Sequence, residues 1–365
     1  KVIGLGGGGS NAITRMVRQE IQGVEFIAMN TDAQSLAVTE APTRVQLGEK
    51  LTKGLGVGGD HNLGQKAAEE SRDELRELVS GADMVFLTGG MGGGTGTGAA
   101  PVVADIAKQS GALTIAVVTR PFKFEGANRT KVADEGITRL LNKLDTLIII
   151  PNDRLLDLCD QKTPVDSAFK MADDVLTHGV QAIAEVITVP GMINLDFADV
   201  RAVMKDAGPA WMSIGVGTGK DRAINAAKEA LASPLLDVSI NGSKGVLFNV
   251  VGGSSLTLFE VNEAAEVIKQ AVDPDANIIF GVAHEPDMEN EVRITLITTG
   301  FASKTGLADG EEEFAQLLKG LKSEEELDVP SFLRRPLFSH RRQAVTPATK
   351  LVTPQAVPSE RTLVQ

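Results

Sequence analysis

With 365 residues, 42% of them hydrophobic, the chain is long enough for two domains of about 100–200 residues, each with a packed core. Its net charge of −12 argues against a protein that binds nucleic acid, because the backbone phosphates would be repelled. The single cysteine excludes an internal disulfide framework and fits a reducing compartment, and the four histidines show no spacing typical of metal ligands.

The first part of the chain alternates short apolar strands with helices. Strands are predicted at 2–5, 24–29, 82–87, 113–118 and 146–150, and helices at about 10–22, 63–80 and 99–110 and between the last two strands. Strands that are apolar throughout and alternate with helices indicate a parallel sheet covered on both faces. Ligands bind at the carboxyl ends of the strands in such sheets, so we expect a crevice there. Residues 1–163 are predicted to form this domain.

The second part has a different organisation. A long helix at 164–187, with Pro164 at its start, is predicted to connect the two domains. Residues 188–303 mix strands with two helices, which is typical of a smaller α+β domain. Its strands are predicted at 211–216, 245–251, 277–282 and 292–299, and its helices at 221–232 and 260–271.

The remaining residues have the composition of a disordered tail. Residues 304–326 form an acidic linker, 327–338 contain an apolar island that resembles a short binding peptide, and 339–365 are basic. No apolar run in the chain reaches the ~18 residues of a membrane span. The sequence begins at Lys1, without methionine and inside a predicted strand, so we expect a native segment to precede it.

Three glycine-rich segments are the main functional signal. Gly89–Gly98 lies between a strand and a helix, and we interpret it as a loop whose backbone N–H groups, together with the helix dipole, bind phosphate. Gly4–Gly9 follows the first strand, and Gly54–Gly59 precedes another helix. No lysine follows in the pattern of a P-loop, so that class of NTPase is disfavoured. We expect the three segments to converge on one crevice.

A dinucleotide-binding oxidoreductase remains an alternative at this point. Gly4–Gly9 matches Gly-x-Gly-x-x-Gly, and Asp32 provides the acid expected at the end of the second strand. A dinucleotide site, however, does not need two further glycine loops, which suit a nucleoside di- or triphosphate better. The oxidoreductase would bind NAD(H), and its turnover would not depend on protein concentration.

Several motifs, in order along the chain, resemble the FtsZ form of the tubulin family. They are Asn30–Gln34, Gly89–Gly98, Phe122–Gly126, Ile150–Asp153 and Asn194–Arg201. The resemblance runs from residue 1 to about 303 and again over 327–335. It implies the tubulin/FtsZ fold: a Rossmann-like parallel-sheet GTP-binding domain, a long central helix, a smaller α+β domain and a disordered tail. It also implies a polymerising GTPase of the bacterial division ring, located in the cytoplasm at mid-cell.

The resemblance assigns a set of residues to GTP. They are Gly7, Gly8, Gly9, Ser10, Asn11, Gly92, Gly93, Gly94, Thr95, Gly96, Glu125, Arg129, Asn152, Phe169 and Asp174. In this set Arg129 offsets phosphate charge, Phe169 stacks on the base, and Asn152 and Asp174 read guanine. A carboxylate accepts from both N1–H and the exocyclic amine of guanine, which favours GTP over ATP. Asp173 stands where many family members have asparagine. Mg²⁺ would arrive on the GTP phosphates, without protein ligands.

The segment Asn194–Asp199 carries the predicted catalytic residues, Asn194, Asp196 and Asp199. Asp196 and Asp199 are three residues apart and share a helix face. A structural role, in which Asn194 and Asp196 cap the helix and match its dipole, explains this pattern as well as a catalytic role does. The resemblance implies that they enter the site of the next subunit, where the acids polarise the attacking water and Asn194 positions it. Such a head-to-tail contact propagates into a filament and would couple assembly to hydrolysis. A nucleotide-binding scaffold that polymerises poorly is a further alternative, although the intact acids argue against it.

The tail carries the predicted partner site. The resemblance assigns its contacts to Asp328, Val329, Pro330, Phe332, Leu333 and Arg334. The implied partners, besides further copies of the chain itself, are membrane tethers and regulators of the division ring. Contact with the membrane would then be indirect, and no nucleic-acid partner is expected.

Overall fold

The computed structural model describes residues 1–156, 163–188, 196–235, 243–285 and 287–300. The predicted catalytic Asn194 and the predicted linker, partner peptide and tail at 304–365 lie outside these ranges. Within them, no helix has both the length and the apolar character needed to cross a membrane.

The first part of the chain forms six strands with helices between them, and the hydrophobic pattern predicts five of these strands. A 3₁₀ turn, Lys123–Glu125, precedes the helix Ala127–Leu141. The elements are β1 (Val2–Leu5), α1 (Gly6–Arg18), β2 (Phe26–Asn30), α2 (Ala33–Val38), β3 (Thr43–Gln46), α3 (Glu49–Thr52), α4 (His61–Glu70), α5 (Arg72–Val79), β4 (Met84–Gly90), α6 (Thr95–Gln109), β5 (Leu113–Arg120), α7 (Ala127–Leu141), β6 (Thr146–Pro151) and α8 (Asn152–Leu156).

The second part begins with the long central helix and continues with a mixed α+β arrangement. Its elements are α9 (Val165–Thr188), α10 (Phe197–Met204), β7 (Gly208–Thr218), α11 (Arg222–Leu231), β8 (Gly245–Gly252), α12 (Leu258–Lys269), β9 (Asn277–His284) and β10 (Glu291–Thr299).

All ten of these strands belong to one sheet, in the order β3-β2-β1-β4-β5-β6-β7-β10-β8-β9. β1 to β6 are parallel. β7 pairs in parallel with β6 only through Gly208–Ala210 and then runs antiparallel to β10. The buried face of α9 shares one hydrophobic core with both halves of the sheet, through residues such as Val180, Val117 and Ile297. The predicted α/β fold with a central helix and a smaller α+β part is therefore confirmed.

Some elements were not predicted from the sequence. β3 is a four-residue edge strand in which only Val45 is buried, so its sequence shows no apolar run. α2 and α3 are too short to show helical periodicity. The predicted helix at 63–80 is two helices, which are separated at Ser71.

The prediction that Gly89–Gly98 is a loop was wrong for most of its length. Gly89 and Gly90 end β4, and α6 begins at Thr95, so only the residues at 91–94 connect the two elements. Some of these glycines are needed because neighbouring backbones pack closely against them. A Cβ on Gly89 would lie 2.8 Å from the Leu5 carbonyl oxygen, and one on Gly98 would lie 2.1 Å from that of His61. The segment Gly6–Gly9 is likewise the first turn of α1.

Arg222, the first residue of α11, connects this helix to α12 and to the loop between β9 and β10. Its guanidinium donates to the Glu260 carboxylate at 2.8 Å and to the Glu289 carbonyl oxygen at 2.6 Å. Glu260 also accepts from the backbone N–H of Thr257 at the start of α12. The hydrogen bond from Arg222, supported by Thr257, lowers the pKa of Glu260 from 4.5 to about 2. Charge on Glu260 therefore stabilises the folded chain.

This contact predicts a specific pH dependence of stability. Because the pKa of Glu260 is lowered on folding, its contribution is complete above about pH 4.5 and is lost as pH falls toward about 2. We expect Glu260→Gln to lower the free energy of unfolding most at neutral pH, with the difference from wild type shrinking in acid. Urea unfolding at several pH values measures this, with Glu266→Gln on the exposed face of the same helix as control. A difference that does not vary with pH would contradict the prediction.

Candidate nucleotide-binding site

A cleft opens at the carboxyl ends of β1, β4, β5 and β6, at the edge of the sheet where the sequence predicts a ligand site. The two glycine-rich segments that follow β1 and β4, the segment after β5, the start of α8 and one face of α9 form its walls. The lining residues are Leu5, Gly6, Gly7, Gly8, Gly90, Met91, Gly93, Gly94, Thr95, Gly96, Thr119, Pro121, Glu125, Arg129, Asn152, Phe169, Ala172, Asp173 and Leu176.

One end of the cleft is formed by the N-termini of α1 and α6. Neither N-cap residue, Leu5 or Gly94, makes a side-chain capping hydrogen bond. The first-turn N–H groups are therefore left for a ligand, and two helix dipoles favour negative charge at the same place. Gly7 and Gly93 border open space, because a Cβ on either would meet no atom within 4 Å. This end of the cleft is suited to phosphates.

Other predicted contact glycines pack against protein. A Cβ on Gly9 would lie 2.6 Å from the Thr88 carbonyl oxygen, and one on Gly92 would lie 2.7 Å from that of Arg129; neither glycine lines the cleft. Gly94 does line it, but its outer side faces Val57, 2.5 Å from where a Cβ would be. The segment Gly54–Gly59 therefore supports the phosphate end from behind. We had expected it to form part of the cleft wall, and it does not.

The cation of the site is Arg129. Its guanidinium lies 2.9 Å from the Glu125 carboxylate, which also accepts from the backbone N–H of Phe122. About half of the Arg129 side chain is exposed, whereas Glu125 is nearly buried. Glu125 is thus fixed to the backbone, and Arg129 is free to turn toward a phosphate.

The opposite end of the cleft carries the groups that suit a base. Asn152 is 5% exposed, and its Oδ1 has no hydrogen-bond partner within the part of the chain that the structure describes. A buried acceptor without a partner is costly, which points to a ligand donor. The ring of Phe169 is 41% exposed and packs edge-on against Phe122, with centroids 5.4 Å apart. It offers a flat apolar surface at the rim.

The structure places Asp173, not Asp174, in this wall. The physical reason is the helical repeat: residues four apart lie on one face of a helix, so Asp173 follows Phe169 on the same face and Asp174 does not. Asp174 instead forms an ion pair with Arg15 of α1. Burial raises the pKa of Asp173 to about 6; Arg15 lowers it and Asp174 raises it further.

Other predicted residues are placed elsewhere. Ser10 is buried in α1 and Asn11 is exposed, and neither lines the cleft. Asp32 caps α2, where it accepts from the backbone N–H of Gln34 at 2.9 Å. Because that carboxylate serves a helix end outside the cleft, it does not act as the ribose acid that a dinucleotide site would need.

Four residues that line the cleft were not predicted from the sequence. Thr119 and Pro121 follow the predicted strand at 113–118, so their position at a carboxyl end was an available signal. Ala172 and Leu176 lie three and seven residues after Phe169, which places them on the same face of α9.

The two predicted catalytic acids do not reach the cleft of their own chain. Asp196 and Asp199 are exposed at the start of α10, and neither lines the cleft. Asp196 occupies the N-cap position, but its side chain makes no capping hydrogen bond. Capping therefore does not account for this residue.

Comparison with known protein families identifies both parts of the chain. Residues 1–160 match the model of the Tubulin/FtsZ family, GTPase domain. Residues 208–302 match the model of the FtsZ family, C-terminal domain.

Solved structures agree with these matches. An FtsZ dimer from M. jannaschii is 48% identical, with a TM-score of 0.80 over 82% of this chain and 87% of that one. CetZ1 from Haloferax volcanii, a GDP-bound monomer, is 20% identical with a TM-score of 0.72, over 88% of this chain and 98% of that one. CetZ2 from the same organism, in a GTPγS-bound protofilament, is 18% identical with a TM-score of 0.69 over the same shares. The two CetZ structures support the fold alone.

Proposed function

The chain belongs to the tubulin/FtsZ family of GTPases, and we propose that it works as a self-assembling filament protein of a cell-division ring. The observation that supports this most directly is the polarity of the cleft. Two uncapped helix N-termini form one end, and the unpaired Asn152 carbonyl and the Asp173 carboxylate lie at the other. A guanine nucleotide has the matching polarity, with phosphates at one end and a hydrogen-bonding base at the other.

In this proposal GTP lies along the cleft. Gly7, Gly8 and the segment Gly93–Gly96 contact the phosphates through backbone N–H groups, and Arg129 turns from Glu125 toward them. Phe169 stacks on the base, Asn152 accepts from it, and Asp173 accepts from guanine N1–H and the exocyclic amine. We thus assign to Asp173 the guanine-reading role that the resemblance implied for Asp174. Gly9, Ser10 and Gly92 support this wall by packing behind it, whereas Asn11 is exposed and does not line the cleft.

Mg²⁺ fits this arrangement as a companion of the nucleotide. Over the described ranges, no group of three or more His, Cys, Asp or Glu could hold a metal ion. The phosphate end offers backbone N–H groups and the Thr95 hydroxyl, which suits a cation that keeps its waters and is carried by phosphate oxygens. When bound, it neutralises charge that develops on the transferred phosphoryl group.

Hydrolysis, as we propose it, needs a second subunit. Water attacks the γ-phosphorus, the bond to the β–γ bridging oxygen breaks, and GDP and phosphate leave while the water gives up a proton. Asp196 and Asp199, which are exposed and do not line their own cleft, orient that water in the next subunit's site, together with Asn194. Positioning accounts for most of the rate in such a reaction. The M. jannaschii FtsZ dimer supports self-association.

The remaining assignments follow from family membership. The GTP-binding domain would comprise 1–163, the connecting helix 164–187 and the C-terminal domain 188–303, followed by the linker at 304–326, the partner peptide at 327–338 and the tail at 339–365. We place the protein in the cytoplasm at the division site. Tethers and regulators bind the peptide, so that contact with the membrane is indirect.

The test is the dependence of GTP turnover on protein concentration. If the site is shared between subunits, the hydrolysis rate per subunit rises steeply at the concentration where light scattering begins. A rate per subunit that stays constant through the onset of scattering would overturn the shared site. Absence of scattering at any concentration with GTP would favour a scaffold that polymerises poorly.

A further inference from the structure

Arg15 lies between the two adjacent acids of α9. Its Nε is 3.6 Å from the carboxylate of Asp173, and its Nη1 donates a hydrogen bond to the carboxylate of Asp174. Only about a quarter of the Arg15 side chain is exposed, and Asp173 is more buried still. Arg15 does not line the cleft, whereas Asp173 does.

We propose that Arg15 is a positioning residue for guanine recognition, which holds the Asp173 carboxylate ionised and turned toward the base without touching the nucleotide. This inference rests on the proposed GTP site. Arg15 is on the helix whose first turn, Gly6–Gly9, forms part of the phosphate end. One helix thus presents N–H groups to the phosphates and, two turns later, a cation to the base-reading acid.

The charge on Asp173 decides whether it can read guanine. As a carboxylate it accepts from both N1–H and the exocyclic amine; as a neutral acid it presents an O–H that faces those two donors. Burial and the neighbouring Asp174 both favour the neutral form and leave the pKa of Asp173 at about 6, even with Arg15 opposing them. Without Arg15, we expect Asp173 to be largely protonated near neutral pH.

The other charged groups nearby do not replace Arg15. Glu125 and Arg129, which also line the cleft, are paired with each other. One turn beyond Asp174, His178 is buried, and burial lowers its pKa to about 4, with Arg293 lowering it further against the effect of Asp174. His178 is therefore neutral in the range where Asp173 titrates. Arg18 on the next turn of α1 pairs with Glu40.

The experiment is a titration of full-length protein with GDP as a function of pH, comparing wild type with Arg15→Met. For wild type we expect a constant affinity at neutral pH that falls as pH drops through about 6. Loss of a nearby opposite charge raises a carboxyl pKa by about 1–3 units, so from about 6 the variant should bind roughly two- to ninetyfold more weakly at pH 7. Its affinity should recover as the pH rises through the raised pKa of Asp173. Arg15→Lys should restore most of the binding at neutral pH.

Two comparisons make the result specific. Arg18→Met removes an arginine from the same helix and should leave the pH profile unchanged. Inosine diphosphate lacks the exocyclic amine, so the preference of wild type for GDP over it should shrink in Arg15→Met at pH 7. An unchanged midpoint in Arg15→Met, or a loss of affinity that alkaline pH does not restore, would overturn the inference. If wild type binds no guanine nucleotide at any pH, the proposed function itself fails.

Discussion

Replacing Asp199 by alanine is expected to reduce GTP turnover by about a hundred- to ten-thousandfold, the usual contribution of a residue that orients or deprotonates an attacking group. Nucleotide affinity should not change, because Asp199 is exposed at the start of α10 and does not line the cleft of its own chain. Single-turnover hydrolysis measured above the assembly concentration, together with a GDP titration, separates the two effects. Asp275→Ala, an exposed acid in the loop before β9, is the control and should retain full turnover.

A mixing experiment locates the Asp199 carboxylate relative to the GTP that it helps to hydrolyse. Asp199→Ala keeps the nucleotide site but lacks the acid, whereas Gly93→Ala keeps the acid and should bind nucleotide about five- to hundredfold more weakly, so that at a limiting GTP concentration it holds little nucleotide. If the site is shared, the mixture should hydrolyse GTP faster than the sum of the two variants alone. A mixture that shows only that sum, or an Asp199→Ala variant with normal turnover, would mean that Asp199 does not act on a neighbouring subunit.

The central sheet could be predicted because its strands are buried on both faces. β4, β5 and β6 appear in the sequence as continuous apolar runs, and burial along these strands is nearly complete. β3 could not be predicted for the opposite reason: it is an edge strand with one buried residue, Val45. The hydrophobic pattern therefore identified the strands whose carboxyl ends form the cleft. It did not identify the edge strand β3, which contributes no residue to the cleft.

Asp173, which we propose as the base-reading acid, shows how far the site could be predicted from the sequence. The resemblance assigned the guanine-reading role to Asp174, whereas the helical repeat favours Asp173, because a spacing of four from Phe169 keeps both residues on one face and a spacing of five does not. The contact of Arg15 with both acids could not be predicted, because it depends on how α1 packs against α9. Local spacing is sufficient to predict which residues share a face of α9. The ion pairs of Arg15 with the two acids depend on tertiary packing, which spacing does not predict.

The glycines posed the same problem, since a glycine that faces a ligand and one that packs against a helix are identical in sequence. Gly93 and Gly98 belong to the same segment and were both interpreted as part of a phosphate loop. In the structure a Cβ on Gly93 would meet nothing within 4 Å, whereas one on Gly98 would lie 2.1 Å from the carbonyl oxygen of His61 in α4. Their substitution by alanine should therefore have opposite consequences.

Gly93→Ala is expected to keep the stability of the folded chain and to weaken the affinity for nucleotide. The added methyl restricts the unfolded chain, which stabilises by about 0.4–1 kcal/mol where the backbone tolerates it. The same methyl occupies space at the phosphate end of the cleft, and overlap of this size costs roughly 1–3 kcal/mol, or about a five- to hundredfold weaker affinity for GDP. Gly56→Ala, exposed and outside the cleft, should give the same small gain in stability and leave the affinity for GDP unchanged. Normal GDP affinity in Gly93→Ala would place the phosphates elsewhere.

Gly98→Ala should instead unfold at a lower temperature than wild type. Helix propensity alone predicts a gain of about 1 kcal/mol, because alanine replaces glycine inside α6. The contact with α4 opposes this gain: a carbon atom 2.1 Å from a carbonyl oxygen forces the two helices apart, at a cost of roughly 1–3 kcal/mol or more. Overlap between two backbones is not relieved by a side-chain rotation, so we expect the steric term to dominate. Thermal unfolding of the nucleotide-free variant and wild type shows which of the two terms is larger. A raised midpoint for Gly98→Ala would show that α4 moves aside at little cost.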